Sequence, residues 1–319
     1  MSAFAVDLAA IRAAAERIAG RAHVTPVATC ASLDRLAGRS LFLKCEQLQK
    51  VGAFKFRGAA SAVARLDEAV ARRGVVTHSS GNHAQAVALA ARQRGIPAYV
   101  VLPRDAAAVK RRAVEGYGAR VIECEPTFAA REETAARVRA ETGATFVHPY
   151  DHPDVIAGQG TAALELLEQA GPLDAIVVPI GGGGLVAGTA IAATELASGI
   201  RIFGAEPVGA DAAARSKRAG ERVVVASPRS IADGLLASIG ELTWPVVRDR
   251  VEDVLTVPEE EILPAMRLVW ERAKLLIEPS AAVAVAAVLS ERFRALRGLT
   301  RVGVVLTGGN VDLDRIARS

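Results

Sequence analysis

The chain has 319 residues, enough for two domains of ordinary size or one large one. Half of it (51%) is hydrophobic and only 4% aromatic, which excludes a disordered chain and points to a core of Ala, Val, Leu and Ile. The net charge of +4 comes from basic residues spread along the chain, without runs of like charge or interleaved aromatics, and argues against a nucleic-acid partner.

The first residues, Met1 to Arg12, carry an early acid and no long apolar stretch, unlike a secretory leader. Cys30, Cys45 and Cys124 are too scattered for a disulfide framework or a metal site, so a reducing, cytoplasmic setting is expected. From there a short apolar run followed by an Ala-rich amphipathic segment recurs. Gly74 to Thr77 leads into Asn82 to Arg94, and Ala98 to Leu102 into a helix around Ala107 to Tyr117. Ala119 to Ile122 leads into Ala129 to Thr142, and Asp174 to Ile180 into Leu185 to Leu196. Arg301 to Leu306 closes the series before a short C-terminal helix. The uncharged stretch Ala175 to Thr194 is broken by Pro179 and four glycines, so it reads as strand, turn and helix and not as a membrane span. Aliphatic strands between helices predict an α/β fold with a mainly parallel sheet covered on both faces. In such folds ligands sit beyond the carboxyl ends of strands, here the loops after Glu46, Thr77, Ile180 and Leu306.

Each of those loops is unusual. The first carries Lys55, one of six lysines against 33 arginines, between Phe54 and Phe56 at the start of a helical pattern. An apolar setting disfavours the ammonium and frees the amine for Schiff-base chemistry; the bland reading is a lysine snorkelling from a helix face. The second, His78-Ser79-Ser80-Gly81-Asn82-His83, puts hydroxyls, an amide, an imidazole and backbone N–H groups at a helix start. That suits a substrate carboxylate, or simply a capped turn. The third, Gly181-Gly182-Gly183-Gly184, can fold closely round a phosphate, yet Val186 breaks the dinucleotide fingerprint and no P-loop lysine follows. The fourth, Thr307-Gly308-Gly309-Asn310, offers a neutral hydroxyl to a ligand ring edge. Amine, carboxylate nest, phosphate nest and hydroxyl together are the parts of a pyridoxal-phosphate (PLP) site.

At these residues the sequence resembles the fold-type II PLP enzymes, tryptophan-synthase-β-like, and within them the serine racemase and serine/threonine dehydratase group, including threo-3-hydroxyaspartate dehydratases. Val155 to Thr161, Ile231 to Gly234 and Leu276 to Pro279 extend the resemblance over nearly the whole chain. It implies two open, mainly parallel sheets flanked by helices. A large domain would comprise residues 1–70 and 150–319, and a small one residues 71–149. It implies Lys55 as the Schiff-base lysine, Phe54 and Asn82 against the cofactor ring, Gly181, Gly182, Gly183 and Gly184 round its phosphate, and Thr307 facing its pyridine nitrogen. Ser79, Ser80, Asn82 and His83 would surround the substrate carboxylate, and Arg131 would favour a dicarboxylate. The group's cation site would map to Glu206 and the Ala210 carbonyl, but Ala212 replaces the expected Asp, which puts Mg2+ in doubt. The activity implied is an ammonia-lyase converting L-serine, L-threonine or threo-3-hydroxyaspartate to a 2-keto acid and ammonia, in a homodimer. The alternatives are an amino-acid racemase, with Lys55 and Ser80 on opposite faces of the planar carbanion, and an inactive PLP-binding homologue.

Overall fold

A computed structural model describes residues 4–79, 81–106 and 108–313. Ser80 and Ala107 lie outside the described residues, as does almost all of the expected C-terminal helix. Ten strands form two sheets. They are β1 (Val27–Ala28), β2 (Ser40–Cys45), β3 (Val75–His78), β4 (Ala98–Pro103), β5 (Arg120–Cys124), β6 (Thr145–Phe146), β7 (Ala175–Pro179), β8 (Arg201–Pro207), β9 (Asp253–Val257) and β10 (Arg301–Leu306). Six strands make one sheet in the order β1-β2-β10-β7-β8-β9, and four make the other in the order β5-β4-β3-β6. Every pairing is parallel except β1 with β2.

The aliphatic runs are continuous because both faces of each sheet are covered. Side chains alternate across a strand, so Val177 and Val304 enter one core while Val178 and Val305 enter the other. The first core is closed by the helix Pro279–Leu289, whose sequence PSAAVAVAAVL is apolar on every side and almost wholly buried. The second is closed by the helices Pro153–Ala170 and Gly184–Leu196. The four-stranded sheet divides likewise, with Val75 and Val100 on one face and Val76 and Val101 on the other.

Small residues bring three helices close together. A Cβ on Gly188 would lie 2.4 Å from the Ile156 carbonyl, and one on Gly158 would lie 2.6 Å from the Arg57 carbonyl. The Ala157-Gly158-Gln159-Gly160-Thr161 run is therefore a packing device. It seats the helix Lys55–Arg65 against Pro153–Ala170, and so helps fix the direction in which Lys55 enters the fold.

A buried ionic cluster anchors the same helix. Arg57 is fully buried and donates Nε to Glu46 Oε2 at 2.7 Å and Nη1 to Glu165 Oε1 at 2.6 Å. Lys44, also fully buried, donates to Glu165 Oε2 and to the Thr25 carbonyl, both at 2.6 Å. Burial works against the Arg57 charge, but Glu46 and Glu165 outweigh it and hold the guanidinium protonated. The cluster ties the exit of β2 to the first turn of the helix that carries Lys55.

Candidate active site

Three of the four unusual loops leave the adjacent strands β2, β10 and β7, with β10 in the middle. The chain travels outward from β7 through β8 to β9 and returns to insert β10, so the strand order switches where these loops meet. Such a switch leaves a crevice at the strands' carboxyl ends.

The loops from β2 and β10 are joined backbone to backbone. Phe54 N donates to Thr307 O at 3.0 Å, Gly309 N donates to Gly52 O at 3.0 Å, and Ala53 forms a bridge with Gly308. Val51 is held at φ 58°, unusual for a β-branched residue, and Asn310 Nδ2 donates to its carbonyl at 2.7 Å. Gly52 follows at φ +70°, where a Cβ would stand 2.6 Å from Asn310 Oδ1. This tight double turn delivers Lys55 to the first position of its helix.

The Lys55 residue is partly accessible, but its amine end is packed within the protein. Nζ donates to the Pro149 carbonyl at 2.8 Å and lies 5.1 Å from the Phe54 ring centre. Burial lowers the amine to about 8, against a smaller opposing pull from Glu278. Thr307 is 3% exposed, and its Oγ1 is buried with no hydrogen-bond partner. A buried hydroxyl without a partner costs free energy unless a ligand supplies one.

The glycine loop after β7 is shaped by what presses on it. A Cβ on Gly182 would fall 2.2 Å from the Tyr150 ring. Gly183 has φ +90°, which only glycine adopts freely, and it opens the helix Gly184–Leu196 without a side-chain cap. The uncapped N–H groups of that helix suit an anion. From behind, Thr243 Oγ1 donates to Gly182 O at 2.8 Å. Asp151 holds the neighbouring turn by accepting from Glu241 N and Leu242 N, both at 2.9 Å.

The loop after β3 approaches from the smaller sheet. Asn82 opens its helix, donates Nδ2 to Glu278 Oε1 at 3.0 Å, and accepts from Asn310 Nδ2 at 2.9 Å. Ser79 Oγ accepts from Gly81 N at 3.3 Å. His83 is buried, with Nε2 3.0 Å from the Val147 carbonyl and Nδ1 unpartnered. Burial and the neighbouring Lys55 depress its imidazole to about 3, so it is neutral, with Nε2–H donating and Nδ1 left as an acceptor. That tautomer offers a lone pair, not a donor, to a ligand. Burial depresses His78, with a small further push from Arg131 on the helix Phe128–Thr142, whose buried Nε has no partner among the described residues.

Glu278, Asn310, Pro149 and Tyr150 belong to the site, although sequence reasoning assigned none of them a role. Glu278 and Asn310 stood within motifs already singled out. No signal in the sequence marks the Pro149 carbonyl or the Tyr150 ring, because their place depends on how the segment after β6 crosses the glycine loop. A cavity of about 230 Å³ lined by Arg65, Thr145, His152 and Asp154 includes none of these residues. The site is therefore identified by its chemistry and not by open volume.

A PLP molecule fits this donor set: a desolvated amine, an orphan hydroxyl and an uncapped glycine turn converge from neighbouring strands. The cation that the resemblance would place at Glu206, already put in doubt by Ala212, does not fit the donors there. Glu206 is fully buried, and its two oxygens accept from Ala213 N and Ala214 N at 3.0 Å each. Burial raises its carboxyl to about 8 despite those donors. Among the described residues no three His, Cys, Asp or Glu side chains are grouped to hold a metal.

Residues 18–308 match the family model described as pyridoxal-phosphate dependent enzyme. The chain is 54% identical over 313 residues to a serine racemase of Arabidopsis thaliana, covering 97% of this chain and 95% of that protein. It is 50% identical over 304 residues to a beta-hydroxyaspartate dehydratase of Paracoccus denitrificans, covering 95% and 96%. The solved structure of maize serine racemase superimposes with a TM-score of 0.97 at 48% identity, covering 99% of this chain and 97% of that one.

Proposed function

The chain belongs to the pyridoxal-phosphate dependent enzyme family, and we propose that within its serine racemase and dehydratase branch it is an ammonia-lyase for a small hydroxy amino acid. The observation that carries this reading is the Lys55 amine, buried against the Pro149 carbonyl and lowered to about 8, on a turn whose backbone is stitched to the loop of Thr307. A base poised near neutrality can both lose and recover a proton at working pH.

When bound, PLP supplies an electron sink for the charge left at the substrate's Cα. Lys55 would hold it covalently through Nζ, Gly181 to Gly184 would hold its phosphate, and Thr307 would give its Oγ1 hydrogen bond to the ring nitrogen. Phe54 and Asn82 would flank the ring. A neutral threonine leaves that nitrogen without a charged partner, which moderates the sink and favours elimination over further reactions. Ser79, Ser80 and Asn82 would orient the substrate carboxylate. His83, with only a lone pair to offer, is better suited to accept from a donor. Freed once the substrate amine has taken its place, Lys55 would remove the Cα proton and pass a proton to the β-hydroxyl, which would leave as water. The unsaturated amine that remains hydrolyses to a 2-keto acid and ammonia. L-Serine, L-threonine and threo-3-hydroxyaspartate all present the required β-hydroxyl, and the unpartnered Nε of Arg131 favours the dicarboxylate.

A second reading, racemisation, is supported by Ser80, a hydroxyl beside the proposed carboxylate nest, and by the racemases among the relatives. Racemisation requires a proton donor on the face opposite Lys55. The deciding measurement is keto-acid release from L-serine, L-threonine and L- and D-threo-3-hydroxyaspartate, with chiral chromatography of the remaining amino acid. Keto acid forming faster than inversion is the expected result. Inversion outrunning keto acid makes the protein a racemase, in which case Ser80→Ala removes inversion and spares elimination. No turnover of any of these substrates overturns both readings. A homodimer, expected of the branch, is tested by gel filtration.

A further inference from the structure

The turn after β8 is where this chain departs from its branch. The resemblance leads one to expect a divalent cation held by Glu206, the Ala210 carbonyl and an acid at position 212. Two of these three positions, 206 and 212, have a different part here. Ala212 brings no side-chain oxygen and begins the helix Ala212–Ala219. Glu206 turns both carboxylate oxygens to the N–H groups of Ala213 and Ala214, in the first turn of that helix. Those N–H groups have no intrahelical partner, and no side chain at the capping position supplies one. Asp211, the remaining acid of the turn, is directed elsewhere: its Oδ1 takes Arg215 Nε at 2.7 Å, and its Oδ2 lies 3.8 Å from Arg218 Nη2.

A hard cation such as Mg2+ or Ca2+ wants about six to eight oxygens, with carboxylates among them. Here one carboxylate is engaged by backbone N–H groups, the other is paired with arginines, and the third is missing. The Ser216 hydroxyl turns back to the Ala212 carbonyl at 2.7 Å and accepts from Val223 N at 2.9 Å, so it too is engaged within the turn.

We infer that the Glu206–Ala212 turn is closed by a buried helix cap in place of a cation, and that the identity of residue 212 separates this protein from the cation-binding pattern of its branch. The protein then folds and holds its cofactor without any divalent ion. The inference does not depend on which reaction the enzyme catalyses, and its test does not read activity.

The test uses PLP-loaded protein passed through chelator, with metal content by elemental analysis and melting temperature read in chelator, Mg2+, Ca2+ and Mn2+. The wild type should retain much less than one ion per chain. Its melting temperature should move by less than about 1 °C on adding any of the three ions, since a ligand that does not bind cannot stabilise. The Ala212→Asp protein should gain a saturable rise of several degrees in Ca2+ or Mg2+. A wild type that retains one ion per chain, or that melts several degrees higher with an ion present, overturns the inference. An Ala212→Asp protein that folds but stays insensitive to all three ions overturns the assignment of the difference to position 212. Should that variant not fold, the metal content and melting temperature of the wild type alone decide the inference.

Discussion

Two lysines eleven positions apart, Lys44 and Lys55, both place their amines inside the protein, and the difference between them separates a structural charge from a reactive one. Lys44 is fully buried near the end of β2 and ends in a cage. Glu165, the Thr25 carbonyl and Gln169 accept from Nζ at 2.6, 2.6 and 3.2 Å. Burial pulls its amine down, and Glu165 pulls it back. Lys55 has one neutral acceptor, the Pro149 carbonyl, and only a weaker electrostatic pull from Glu278. A desolvated amine without a carboxylate in contact loses its proton readily, whereas one with such a contact keeps it. Burial alone therefore does not make a catalytic lysine.

The largest effect that would break this contrast lies at Lys55. Lys55→Ala should abolish the absorbance of lysine-bound cofactor and lower keto-acid formation by at least about a thousandfold. Retained turnover would transfer the chemistry to another group. Lys44→Met should do the opposite, leaving the bound-cofactor spectrum in place while costing about 3 kcal/mol in urea unfolding. That is the low end for breaking a buried pair, because Arg57 still serves Glu165. A Lys44→Met protein of unchanged stability would mean that the cage is decorative.

A pH titration sharpens the difference. Below pH 8 the Lys55 ammonium is present in both folded and unfolded chains, and the full cost of burying it is felt. Between about 8 and the ordinary 10.5 the folded apoprotein sheds the proton first, so this site's contribution to stability rises with pH. Lys55→Met should thus stabilise the apoprotein by roughly 3 kcal/mol at pH 7, and the gain should vanish above pH 10.5. A gain that persists at high pH would trace to packing and not to charge.

The smallest effect lies across the site. Thr307→Val deletes a hydroxyl that has no partner among the described residues, so apoprotein stability should hold or rise slightly. Cofactor affinity should fall about five- to tenfold, the worth of one hydrogen bond. Unchanged affinity in a cofactor titration would remove Thr307 from the ring nitrogen.

Much of this was legible in the chain itself. The alternation of aliphatic runs with Ala-rich segments places β3, β4, β5, β7 and β10 within a residue or two, because strands covered on both faces, such as β4 and β7, are aliphatic almost throughout. The glycines at 181–184 announce a close backbone approach, and of the two phenylalanines flanking Lys55 it is Phe54 whose ring lies by its amine, while Phe56 packs into the core of the smaller sheet. The sequence pattern is silent on β1, a two-residue edge strand too short to show a period. It also does not reveal that Val155 to Thr161 is chiefly a helix-packing device.

What the sequence determined by itself is a mainly parallel α/β fold and the loops that carry the chemistry, since hydrophobic periodicity and glycine placement are local properties; its division into two sheets came from the resemblance. What only the tertiary structure decided is who meets whom. Asn82 finds Glu278 from 196 positions away, Lys44 finds Glu165 from 121 away, and Glu206 turns to a helix end where an ion was expected. The state of a charge depends on its partners and its dielectric surroundings, and those exist only once β10 has been inserted between β2 and β7.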